Sequence, residues 1–144
     1  MNSPTTISLS SRQWERLELF LTSEPGWDGG SAKGAPDQKT VAEALQVIEY
    51  LRQHGINHPL LFMGSCGEIE VAHICKGSDS YLNIEVQGDG SFMIGHFVGD
   101  VEEAYFVGCL NEIRPEFISA MRNVEETEYG TPSESKEPDE SKNA

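Results

Sequence analysis

The sequence predicts an α+β domain: two N-terminal helices, a five-stranded antiparallel meander, a C-terminal helix packed on one sheet face, and a disordered acidic tail. Three observations carry the prediction. Apolar residues recur with helical spacing up to His54, and with the two-residue spacing of strands from His58 onward. The candidate strands are joined by short turn-like links, Ser65-Cys66-Gly67, Gly77-Ser78-Asp79-Ser80, Gly88-Asp89-Gly90 and Gly99-Asp100. Links this short permit antiparallel neighbours but not parallel crossovers. Finally, the apolar pattern gives way near Val124 to acids, prolines and serines.

The first helix is expected over residues 11–23. Ser10 and Gln13 have capping-box spacing, Leu9 and Trp14 stand where a hydrophobic staple would, and Trp14, Leu17 and Leu21 share one face with Phe20 beside it. Pro25 and Gly26 stop it. A glycine-rich loop follows from Gly26 to Gln38, with Trp27 as its only large side chain. The second helix, residues 37–54, aligns Val41, Ala44, Leu45, Ile48 and Leu51. Pro36 suits its first turn, Asp37 suits the positive end of its dipole, and Gly55 before Ile56 has the order of a Schellman stop.

Strands are expected over residues 60–63, 68–76, 81–87, 91–98 and 104–110. In the third, Leu82, Ile84 and Val86 oppose Asn83, Glu85 and Gln87. The run Leu60 to Met63 is so apolar that an open edge there would invite pairing, so it is expected to lie under a helix or in a homodimer contact. The last helix, residues 112–124, carries Ile113, Phe117, Ile118 and Met121.

The 144 residues suit one domain, placed at residues 1–123, and 38% hydrophobic residues suffice for a core. Residues 124–144 hold seven acids against Lys136 and Lys142, with too little apolar surface to offset the entropy of ordering. They account for five units of the net charge of -14, leaving -9 on the domain. Such a balance argues against direct nucleic-acid binding, which needs clustered Lys and Arg, and against anionic membranes. No segment has the roughly 18 apolar residues of a membrane span, and residues 1–8 lack the pattern of a signal peptide. Cys66, Cys75 and Cys109 cannot all pair within one chain and lack metal-knuckle spacing, which suits reduced thiols in the cytoplasm. Cys75 and Cys109, in apolar runs, are expected to be buried.

The run Trp27-Asp28-Gly29-Gly30-Ser31-Ala32-Lys33 resembles a WDGxGAKP signature that recurs in small bacterial proteins, where it leads into a helix opening like Pro36-Asp37-Gln38-Lys39-Thr40. Leu60 through His96, with its Cys66-Gly67-Glu68 and Gly88-Asp89-Gly90 turns, is similar to their sheet region, and the overlap covers roughly residues 14–98. The chain departs from that pattern by extra residues around Lys33-Gly34-Ala35 and by Ala35 where a capping serine is usual. The resemblance implies a helix-loop-helix-meander fold. It supplies no established catalysis, and it hints at mobile or defence-associated loci.

For function, Trp27 is either a buried peg between helices and sheet or an aromatic anchor for a partner. Asp28 either caps its own turn or, with Lys33, contacts that partner. Cys66 has the look of a nucleophile turn, with His73 or His96 as a base, but a strand follows it where an elbow would lead into a helix. His54 and His58 are four apart, yet Gly55 and Pro59 break the helix that would align them. A metal site from His73, Cys75 and His96 competes with ordinary strand histidines. Asp79, Asp89 and Asp100 lie in turns, where aspartate is favoured for backbone reasons. The expectation is therefore a non-catalytic acidic binding protein without cofactor or metal, of antitoxin, immunity or inhibitor type. It would recognise a protein with a basic surface through Trp27, Asp28, Lys33, Glu68 and Glu70. The alternatives are an anti-defence protein acting on a DNA-binding effector, by DNA mimicry in one form, and a small cysteine-dependent enzyme.

Overall fold

The computed structural model of the chain describes residues 9–74, 80–98 and 100–129. The expectations for Cys75, Asp79 and residues 130–144 lie outside the described residues. Three α-helices and a five-stranded antiparallel sheet form an α+β fold, in the order α1 (Ser11–Leu21), α2 (Gln38–Gln53), β1 (Leu60–Met63), β2 (Ile69–Ile74), β3 (Ser80–Val86), β4 (Phe92–Val98), β5 (Val101–Val107) and α3 (Pro115–Tyr129). The strands lie side by side in chain order, a meander.

Helix α1 begins with the capping box: the Gln13 amide donates to the Ser10 hydroxyl at 3.1 Å, and the Ser10 amide donates to Gln13 Oε1 at 3.1 Å. Its buried face differs from the expected one. Gln13, Leu17 and Phe20 turn inward, while Trp14 and Leu21 are 49% and 48% exposed. The rotation has a polar cause, because Gln13 Nε2 also donates to the Pro59 carbonyl at 3.0 Å, and Arg16 donates through Nε and Nη2 to the Leu61 carbonyl at 3.1 and 3.0 Å. The two carbonyls lie just before and within β1, which among the described residues has β2 as its one strand neighbour. Helix α1 therefore covers the apolar edge, the helical form of the cover expected for it.

Asp37 caps α2, its Oδ1 accepting from the Thr40 amide at 2.8 Å, so Pro36 precedes the helix and lies outside its first turn. The other end is the expected Schellman motif: Gly55 has φ +83°, the Ile56 amide donates to the Leu51 carbonyl at 2.9 Å, and the Gly55 amide donates to Arg52 at 3.1 Å.

One face of the sheet holds Leu61, Ile69, Val71, Leu82, Ile84, Val86, Phe92, Ile94 and Val107. Against it pack Leu17 and Phe20 of α1, Val47, Ile48 and Leu51 of α2, and Phe117, Ile118 and Met121 of α3. All three helices thus share one sheet face. Strand β5 starts and ends three residues before the expected span, because Val98 pairs directly with Val101 and the exposed Glu102 and Glu103 carry no apolar signal. A short 3-10 turn, Leu110–Glu112, follows, and it leaves Cys109 exposed where burial was expected.

The largest departure is at the C-terminal end of the fold. Helix α3 runs to Tyr129, five residues past its expected stop at Val124, and Val124 and Glu125 are buried. The Glu125 carboxylate accepts from the Asn57 amide at 2.5 Å, the His58 amide at 2.8 Å and His73 Nε2 at 3.0 Å. One turn earlier, Arg122 Nε donates to the His54 carbonyl at 2.8 Å. Burial alone would raise the Glu125 pKa, but His73 and the two amides outweigh it and hold the carboxyl below its ordinary value. Residues 124–128 therefore belong to the packed domain. The segment looks like acidic tail because its anchor is a carboxylate, the residue type that signals solvent in a composition reading.

Candidate functional site

The second sheet face is where functional residues converge. The register sets Phe62, Glu70, Glu85, Met93 and Phe106 in one cross-strand row. A neighbouring row is Leu60, Ala72, Asn83, Gly95 and Ala104, and a third holds Ile74, Tyr81, Phe97 and Glu102. The core helices lie on the other side of the sheet, and Phe106 and Ile74 are 68% and 44% exposed. Glu68, at the hairpin entrance to β2, is two residues before Glu70 and so faces the same way.

Three carboxylates therefore gather on this face inside a frame of aromatic and aliphatic side chains. Glu70 Oε1 accepts from the Tyr81 hydroxyl and from Asn83 Nδ2, the latter at 3.1 Å. Burial, helped by the Glu70 carboxylate, pushes the Tyr81 hydroxyl well above the ordinary tyrosine value. Burial likewise raises the Glu85 carboxyl, with Glu68 and Glu70 adding like-charge repulsion against one hydrogen bond from Gln87. Asn83 is 3% exposed, and its Oδ1 has no hydrogen-bond donor among the described residues. That oxygen lies over Gly95, 2.2 Å from where a Cβ would stand, with the Phe97 ring 2.9 Å from the same point. The residue without a side chain is what lets both groups lie flat on β4.

Several of the other acids are engaged structurally. Asp28, Asp37 and Asp89 cap backbone amides of their own turns. Glu43 reaches from α2 to the β3–β4 turn and accepts from the Gly88 and Gly90 amides at 2.9 and 2.7 Å. Glu49 pairs with Arg52, and Glu125 is the α3 anchor. Among the described residues, ion pairs form only at Arg52–Glu49 and, with His73 protonated, at His73–Glu125, so no cation sits on Glu68, Glu70 or Glu85.

The residues expected to bind a partner fall into two groups. Asp28 caps its own loop, accepting from Gly30 at 2.9 Å and Ala32 at 3.3 Å. Trp27 is 43% exposed and therefore no buried peg; it walls a shallow cleft of about 310 Å³ with Arg16, Leu19, Phe20, Ser23, Phe62 and Met63. Lys33 is exposed, and its amide donates to the Ser65 carbonyl at 2.8 Å, which docks the loop on the β1–β2 turn. Glu68 closes that turn, its Oε1 accepting from the Cys66 amide at 2.9 Å. Only Glu68 and Glu70 lie on the open face. Sequence reasoning missed Tyr81, Asn83 and Phe97, and it counted Glu85 among the surface acids without placing it beside Glu70. The alternation of Asn83 and Glu85 against Leu82, Ile84 and Val86 was the available signal, but pairing Glu70 with Glu85 required the register.

The described residues of the nucleophile and metal readings stand apart, and Cys75 lies outside the described residues. Cys66 is exposed in the β1–β2 turn, whereas His73 sits four residues along β2 from Ile69, about 13 Å of strand, and is engaged with Glu125. His73 and His96 share the helix-covered face with Leu82 between them, so two strand spacings, about 10 Å, separate them. Among the described residues no group of three His, Cys, Asp or Glu could hold a metal ion, and no helix is long and apolar enough to cross a membrane. The cleft between α1 and β1, about 390 Å³, contains Arg12, Arg16 and His58, but Arg16 is committed to Leu61 and lies against the Phe20 and Phe62 rings. No protein-family model, curated protein or solved structure matches the chain.

Proposed function

We propose that the chain is a non-catalytic cytoplasmic binding protein that neutralises or regulates a partner protein with a basic surface, in the manner of an antitoxin, immunity factor or inhibitor. Its contact surface is the open sheet face. The observation that carries this reading is Glu68, Glu70 and Glu85 gathered inside an apolar frame containing Phe62, Met93 and Phe106, with no ion pair to any of them among the described residues. Aromatic anchors around desolvated polar groups are the usual makeup of binding hot spots, and the net charge of -14 steers a basic partner toward the domain. A protein partner is favoured over DNA mimicry because Glu68, Glu70 and Glu85 form a compact patch on one sheet face and not a row along an edge. Loop residues Trp27 and Lys33 stand at the β1 end, where Trp27 and Phe62 share a cleft, and would extend the contact.

The test is affinity capture from host lysate with the full chain, run beside Phe106→Lys and at rising salt. The reading requires a captured protein whose retention falls with salt and is lost with Phe106→Lys. Retention indifferent to both would sink it.

A further inference from the structure

We infer that the Glu70–Glu85 pair is a socket for one guanidinium, so that the partner's anchor on this face is an arginine. The inference rests on the open sheet face being the partner surface, and it adds the side chain that surface selects.

The two glutamates are directly opposed across β2 and β3, a position where Cβ atoms stand about 5 Å apart and like charges destabilise the sheet. Nothing cationic in the described chain relieves them. Instead each carboxylate is held by neutral donors through one oxygen. Glu70 Oε1 takes both Tyr81 and Asn83, and Glu85 Oε2 takes Gln87 Nε2 at 2.9 Å. Among the described residues, Glu70 Oε2 and Glu85 Oε1 therefore keep their lone pairs open. Open oxygens on two directly opposed carboxylates, each held by a hydrogen bond to its other oxygen, suit the parallel N–H groups of a planar fork, whereas an ammonium presents a point charge.

Among the described residues, no donor reaches these two carboxylate oxygens or the buried Asn83 Oδ1, although buried polar groups are almost always paired. Arginine brings five donors and no acceptor. Tyr81 and Phe97, with ring centroids 5.7 Å apart, supply flat surfaces beside the pair on which a guanidinium can stack. A second copy of this chain is a poor occupant, since it would set carboxylates against carboxylates.

The experiment titrates the isotope-labelled full chain with N-acetyl-arginine amide and, separately, N-acetyl-lysine amide, following backbone amide shifts and the Glu85 side-chain carboxyl. For one bidentate contact the arginine probe should saturate at roughly millimolar concentration. Shifts should centre on Glu70, Asn83, Glu85 and Gly95, bind about fivefold more tightly than the lysine probe, and lower the Glu85 titration midpoint. Glu70→Gln and Glu85→Gln, each with native amide dispersion, should abolish the preference. Equal response to both probes would overturn the arginine socket while leaving an acidic partner surface in place. No response on this face to either probe would overturn both.

Discussion

Replacing Glu125 with alanine removes the one acceptor that serves three donors, the Asn57 and His58 amides and His73 Nε2, in a side chain with 5% of its surface exposed. A buried donor left unsatisfied costs about 1–3 kcal/mol, and breaking a buried charged pair about 3–5 kcal/mol. The three losses share one carboxylate and so do not add, which puts Glu125→Ala near 3–4 kcal/mol, a large part of the roughly 5–15 kcal/mol that holds a domain together. For a domain of this size that corresponds to a fall in Tm of roughly 10 °C. Thermal and urea unfolding followed by circular dichroism measure it, with Asn123→Ala, exposed on the same helix, as the neutral comparison. Hydrogen exchange adds a local readout, since the Asn57 and His58 amides should lose protection before the sheet does. A Tm change under about 2 °C, within the range of ordinary surface substitutions, would refute the anchor and return residues 124–128 to the tail.

The same carboxylate sets an acid limit. Its pKa is held below the unfolded value, so the stability it contributes is complete above that value and is lost as pH falls through the folded one; Glu125→Gln should flatten the fall in Tm on acidification. Glu85 has the opposite sign, because a raised carboxyl costs stability once ionised, and Glu85→Gln should raise stability at pH 7 by about 0.5 kcal/mol in urea unfolding. Gly95→Ala would drive a Cβ into Asn83 Oδ1 and the Phe97 ring, and about 1–3 kcal/mol should be lost from the urea midpoint. Arg16→Ala uncovers the Leu61 carbonyl, with a loss of about 1–2 kcal/mol and faster aggregation by light scattering.

The parts of the fold legible in the sequence were those specified by local chemistry. The capping box at Ser10, the Schellman stop at Gly55 and the turns at Ser65–Gly67 and Gly88–Gly90 each depend on residues within a few positions of one another, and each stands in the structure as read. What escaped reading was polar and long-range. Gln13 is drawn inward by a carbonyl 46 residues away and Glu125 by amides 67 and 68 residues away, and neither hydropathy nor periodicity encodes such a partner. The candidate surface was legible by halves. Glu68 and Glu70 were recognisable as strand-borne acids, but their closeness to Glu85 exists only through the register of β2 on β3. Trp27 misled because a large aromatic in a glycine loop signals burial, whereas here the loop is fastened by backbone bonds, from Lys33 to Ser65 and from Gly26 to Ala32, and does not need the indole as a plug.

The cover that α1 lays over β1 also limits how copies of the chain can associate. Growth by strand addition needs a donor edge and an acceptor edge on every copy, and Gln13 and Arg16 occupy the carbonyls of one of them. Among the described residues, β5 is the other edge of the sheet. Two copies meeting there would form a closed pair with no edge to pass on, in which Glu102 and Glu103 would confront their own counterparts. Two side chains on one helix turn thus disfavour growth of the sheet past β1, beside a sheet face that stays partly apolar and open.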